Sequence, residues 1–92
     1  MMRARQTTDS TPMLRWLFTK GRRVLTCEVR VDRRGTFDVC VVPLWNIKAA
    51  IVESYGGAAS AMRRHAEIAA AFRQAGWMVA RLTPNRSTEV AA

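Results

Sequence analysis

The chain has 92 residues, 49% of them hydrophobic, and a formal charge of +8. That hydrophobic fraction excludes a disordered chain, and the length excludes more than one domain and limits the core that can be buried. No apolar run is long enough to cross a membrane, and residues 1–12 lack the apolar centre of a secretory signal, so the sequence points to the cytoplasm.

The charge is concentrated in the part expected to fold. Arg3, Arg5 and Arg86 against Asp9 and Glu89 leave the tails at +1, so +7 of the +8 lies between them. A basic tail is common, whereas a basic domain gives the fold itself an electrostatic field. Only Lys20 and Lys48 are lysines, an arginine bias that codon usage alone can also produce.

Residues 1–12 read as a tail that ends in turn-forming Asp9-Ser10-Thr11-Pro12. A first strand spans Leu14 to Thr19, with Leu14, Trp16 and Phe18 on one face, and Lys20-Gly21-Arg22-Arg23 follows as a turn. The second strand, Val24 to Val31, alternates Leu25, Cys27, Val29 and Val31 against Thr26, Glu28 and Arg30, the period-two pattern of a half-buried strand. The third runs from Thr36 to Val42. A three-residue loop Arg33-Arg34-Gly35, with Gly35 left-handed, pairs Asp32 with Thr36 and sets Val31, Val29 and Cys27 opposite Phe37, Val39 and Val41. A loop one residue longer sets Val29 opposite Asp38, which a buried face does not tolerate. This register puts Cys27 and Cys40 on opposite faces, where no disulfide can join them, and two free thiols fit a reducing compartment.

Pro43 to Asn46 is a further turn with Trp45 at its tip. Residues 47–55 alternate Ile47, Ala49 and Ile51 with Lys48, Ala50 and Val52 and read as a fourth strand followed by Glu53-Ser54-Tyr55 leading into the glycines, with a short helix as the competing reading. Gly56-Gly57 then breaks the chain. Ala58, Ala61, His65, Ile68, Phe72 and Ala75 recur at steps of three and four, flanked by Met62 and Ala69, and define a helix starting between Ala58 and Ala61. Ser60 is a candidate cap, and Arg63 and Glu67 are spaced to pair on its surface. Gly76 suits the left-handed position past the helix, with Phe72 and Trp77 as the apolar pair of a Schellman cap. A short last strand, Trp77 to Leu82, alternates Trp77, Val79 and Arg81 with Met78, Ala80 and Leu82, and can pair in its own chain or in a partner.

The expected fold is therefore α+β. A four-stranded antiparallel meander is covered on one face by one long helix and followed by a short C-terminal strand. One domain spans 13–83, between tails at 1–12 and 84–92. In topology this order resembles small single-stranded nucleic-acid binders of the whirly and PC-type coactivator kind. No motif matches residue by residue, so no functional residue is carried over.

Catalysis has little to draw on. His65 is the single histidine and sits on the apolar stripe, no pair of acids is placed for proton transfer, and Gly56-Gly57 opens no nucleotide-binding motif. The two cysteines lack further metal ligands nearby. No cofactor, metal or small-molecule substrate is expected. The open sheet face carries Arg15, Glu28, Arg30, Asp38 and Lys48 rather than the aromatics of a base-stacking platform.

The ends of the sheet carry the candidate sites. Arg33 and Arg34 share one end with the helix N-terminus, to which Arg64 and Arg63 belong. Helix N-termini favour anions, and phosphate contacts there are the first functional reading. Lys20, Arg22 and Arg23 would assist from the other turns. The alternative is a protein-interaction or structural module forming a homodimer through an edge strand or the last segment, with Trp45, Tyr55 and Trp77 as contact aromatics.

Overall fold

The structure, a computed structural model, describes residues 10–83. Five strands form one antiparallel sheet: β1 (Ser10–Lys20), β2 (Arg23–Asp32), β3 (Phe37–Pro43), β4 (Ile51–Tyr55) and β5 (Met78–Thr83). Their spatial order is β4-β3-β2-β1-β5. The helix α1 (Ala58–Gln74) carries the chain from one edge of the sheet to the other, so that β5 pairs with β1. The α+β meander expected from the sequence is present, and the last strand returns to its own sheet.

The β2–β3 hairpin has the expected register. Val31, Val29 and Cys27 lie opposite Phe37, Val39 and Val41. Asp32 donates its amide to the Thr36 carbonyl at 3.0 Å, and Gly35 takes φ 83°, a conformation that costs a side-chain-bearing residue steric strain. The helix end also follows expectation. Gly76 has φ 97°, the Trp77 amide donates to Phe72 O at 2.9 Å and the Gly76 amide to Arg73 O at 3.1 Å, which together make a Schellman cap. The Trp77 and Phe72 rings meet edge-on at 5.9 Å.

Ala61, His65 and Ala69, four residues apart, are the buried positions of α1. Alanine at two of these three lets the helix lie close to the sheet. Phe18, Leu25 and Cys27 pack beneath Ala69, flanked by Trp16, Val41, Phe72, Trp77 and Val79. Val29 and Val39 pack beneath Ala61, flanked by Leu14, Phe37 and Tyr55. Ile68 touches both groups and joins them into one core. Phe18 is fully buried, and burial of such a side chain stabilises by about 1.5–3 kcal/mol.

Several local readings are corrected. β1 begins at Ser10, three residues inside the stretch assigned to the N-terminal tail; residues 1–9 and 84–92 lie outside the described part. Pro12 is accommodated because β5 reaches only Arg15–Thr19 on that side of β1, and the pairing with β2 shifts register between Pro12 and Leu14. Ile47–Ala49 form a single 3₁₀ turn rather than the start of β4. None of its residues is buried, so their alternation had no core face to enforce a strand. Lys48 accordingly lies off the sheet. The helix is capped by Gly57 without any side-chain cap, and Ser60 lies inside it. Glu67 pairs with Arg64 rather than Arg63. A bulge at Ala80 reverses the expected faces of the residues after it, setting Leu82 opposite Trp16 and Arg81 opposite Leu17, while Val79 stays opposite Phe18.

Candidate polyanion-binding surface

Strand pairing sorts the loops into two ends. The Lys20–Arg23 turn, the loop after Pro43, the C-terminus of α1 and the start of β5 share one end, because Leu25 faces Pro43 and Thr19 faces Met78. The Arg33-Arg34 turn and the β4-to-α1 connection share the other, because Phe37 faces Tyr55.

At the Arg33 end the turn backbone is fixed from within. The Asp32 carboxylate accepts the amides of Arg34 and Thr36, both at 2.9 Å, and Arg33 and Arg34 are exposed. Arg63 is exposed on α1. Arg64 has a different assignment. Its Nε donates to Glu53 Oε1 at 2.8 Å, Nη2 to Glu53 Oε2 at 3.3 Å and Nη1 to Glu67 Oε1 at 3.2 Å. The Tyr55 hydroxyl donates to the same Glu53 oxygen at 2.8 Å. The bond from Arg64, then that from Tyr55, holds the Glu53 carboxyl below the usual carboxylate range, and the two carboxylates raise Arg64 above its ordinary value. Sequence reasoning grouped Arg64 with the anion-binding arginines. It missed this cluster because it read Glu53-Ser54-Tyr55 as leading into the glycines after the fourth strand, whereas all three belong to β4.

At the other end the cations serve the fold. Lys20 Nζ donates to Ala75 O at 2.6 Å and meets the negative end of the helix dipole. The Arg23 guanidinium lies 5.0 Å from the centroid of the Trp45 ring, which stacks on Trp77 at 6.1 Å and 12°. Trp45 is half exposed, whereas Trp77 and Tyr55 are partly buried in the packing just described. Arg22 is exposed.

The open sheet face pairs charge across strands. Glu28, itself buried, accepts from Arg30 at 2.8 Å and from Thr26 at 3.1 Å and lies 3.4 Å from Arg15. Asp38 accepts from Ser54 at 2.7 Å. No aromatic side chain lies on this face among the described residues. Cys40 faces it yet is buried, and Cys27 faces the helix. Burial first, then neighbouring negative charge, pushes the Cys27 thiol up to about 12 and the Cys40 thiol up to about 11. His65 is 2% exposed; it donates from Nε2 to Cys27 O at 3.1 Å and meets the Trp16 ring edge-on at 5.1 Å. Burial lowers its pKa, against the pull of that carbonyl. It is a packed histidine. Among the described residues no group of three His, Cys, Asp or Glu side chains is placed to hold a metal, and no helix is long and apolar enough to cross a membrane.

No protein-family model, curated protein or solved structure matches this chain.

Proposed function

We propose that the protein is a small, basic, non-enzymatic binding module that contacts polyanions, nucleic-acid phosphates foremost, with little sequence preference. Arg33, Arg34 and Arg63 supply the principal contacts, and Arg22 a secondary one. Lys20 and Arg23 act mainly in the fold, and Arg64 is neutralised by Glu53 and Glu67.

The observation that carries this reading is the use of acids. Glu28, Asp32, Asp38, Glu53 and Glu67 are all held by hydrogen bonds or ion pairs within the fold, and Arg22, Arg33, Arg34 and Arg63 are at exposed positions. Positive charge is thus available at exposed positions, on turns at Arg22, Arg33 and Arg34 and on α1 at Arg63. Phosphate contacts position a ligand without reading its bases, and the open face lacks aromatics on which bases could stack, so weak sequence preference follows. Two free cysteines on opposite faces fit a reducing compartment, and we place the protein in the cytoplasm.

The test is fluorescence anisotropy of labelled single- and double-stranded oligonucleotides at about 50 mM and about 200 mM salt. Binding that weakens steeply across that interval, on both kinds of strand, supports the reading. Absence of binding at the lower salt contradicts it.

A further inference from the structure

Two strands of the sheet have an unpaired side, β4 and β5. They differ in how that side is managed. β5 carries a bulge at Ala80 and the exposed cation Arg81, both devices that discourage further pairing. β4 has neither. Its ladder with β3 runs without a register shift, and its exposed residues Ile51, Val52 and Ser54 carry no charge: Ile51 is 60% and Val52 57% exposed, with Ile47 just before them 67% exposed.

The hydrogen-bond parity shows which groups of β4 are unused. Asp32 bonds Thr36, and Leu44 bonds Val24, at the two ends of the β2–β3 ladder. Bonded residues alternate along an antiparallel pair, so Asp38, Cys40 and Val42 direct their backbone groups to β2, and Phe37, Val39 and Val41 direct theirs to β4. Their partners Tyr55, Glu53 and Ile51 are thereby satisfied. The amides and carbonyls of Val52 and Ser54 point away from the sheet.

We infer that the β4 edge pairs antiparallel with the β4 edge of a second copy of this chain, forming a twofold dimer with one continuous ten-stranded sheet. Charge opposes a second copy less at this place than elsewhere. The domain is basic, and two copies repel almost everywhere, but Asp38, Glu53 and Glu67 all lie on or beside β4 and Arg64 is neutralised there. Parity and side-chain chemistry also select a register. Centring on Val52 makes it a hydrogen-bonded pair with Val52 of the partner subunit and sets Ile51 beside Glu53 of the partner subunit. Centring on Glu53 sets two carboxylates face to face, which is destabilising. In the Val52-centred pairing both helices lie on the same side of the joined sheet. The inference does not depend on polyanion binding.

Sedimentation or light-scattering mass, read from about 1 to about 300 µM protein, tests it over the range where small interfaces dissociate. The wild type is expected to pass from the 10.3 kDa monomer toward twice that mass. Val52→Lys, and independently Ile51→Lys, should stay monomeric throughout, with circular dichroism and melting midpoint matching dilute wild type. Leu82→Lys, at the β5 edge, should dimerise as wild type does. A wild type that remains monomeric at the highest concentration overturns the inference. So does a Val52→Lys protein that still doubles in mass, or dimerisation lost in Leu82→Lys but kept in Val52→Lys.

Discussion

The two basic turns of this protein are near mirror images in sequence and opposite in use. Lys20-Gly21-Arg22-Arg23 and Arg33-Arg34-Gly35 each place cations around a left-handed glycine, Gly21 at φ 62° and Gly35 at φ 83°. In the first, Lys20 closes the C-terminus of α1 and Arg23 lies over the Trp45 ring, which stacks on Trp77. In the second, an Asp32 carboxylate organises the backbone and both arginines are exposed. Local composition marks both as basic turns. The difference lies in what each turn is built on: a helix carbonyl 55 residues away in one case and the turn's own Asp32 carboxylate in the other.

If the first turn is structural, its supports matter for stability and little for ligand. Trp77→Ala removes the ring that joins Trp45 to Phe72, and should cost about 3 kcal/mol in chemical denaturation. A loss under about 1 kcal/mol would show that the stack contributes little. Lys20→Met should cost less, about 0.3–1 kcal/mol, because the bond to Ala75 O is exposed. Oligonucleotide affinity of Lys20→Met at fixed salt should change less than threefold; a larger fall would move Lys20 from the fold to the binding surface.

The smallest expected effect is on pH dependence. Burial favours neutral His65, so its stabilisation is complete above its ordinary value of 6.5 and is lost as pH falls. Cys27 and Cys40 are raised from 9.0, so their stabilisation is complete below that value and is lost as pH rises toward about 11 and about 12. The melting midpoint should therefore be flat between about pH 7 and about pH 8.5 and fall on either side. His65→Gln should flatten the decline between about pH 6.5 and about pH 5. An unchanged acid limb in that variant would assign the decline to carboxylates such as Glu53.

The hairpin register and the helix cap were legible because each is decided within a few residues. Gly35 fixes a loop length, a loop length fixes which face every residue of β2 and β3 occupies, and only one choice keeps Asp38 off the core. Gly76, Phe72 and Trp77 likewise form a local unit. The Arg64–Glu53 pair was not legible. It joins a helix to a strand through a carboxylate that alternation places on the covered face, where a carboxylate is tolerated because Arg64 and Tyr55 both bond to it. The return of β5 to β1 and its bulge were hidden for a similar reason, since the partner strand lies at the far end of the chain. Residues 47–49 misled because periodicity predicts a strand only where one side of it is buried.

The central claim is that Arg33 and Arg34 present charge outward for phosphates. Its most direct test is the salt dependence of single-stranded oligonucleotide affinity in wild type and in Arg33→Glu/Arg34→Glu. The double variant should melt within about 0.5 kcal/mol of wild type, since both side chains are exposed. It should bind at least about tenfold more weakly, and its slope of log affinity against log salt should be shallower by about 1–1.5, the loss of two phosphate contacts. An unchanged affinity and slope in a folded double variant would contradict the account.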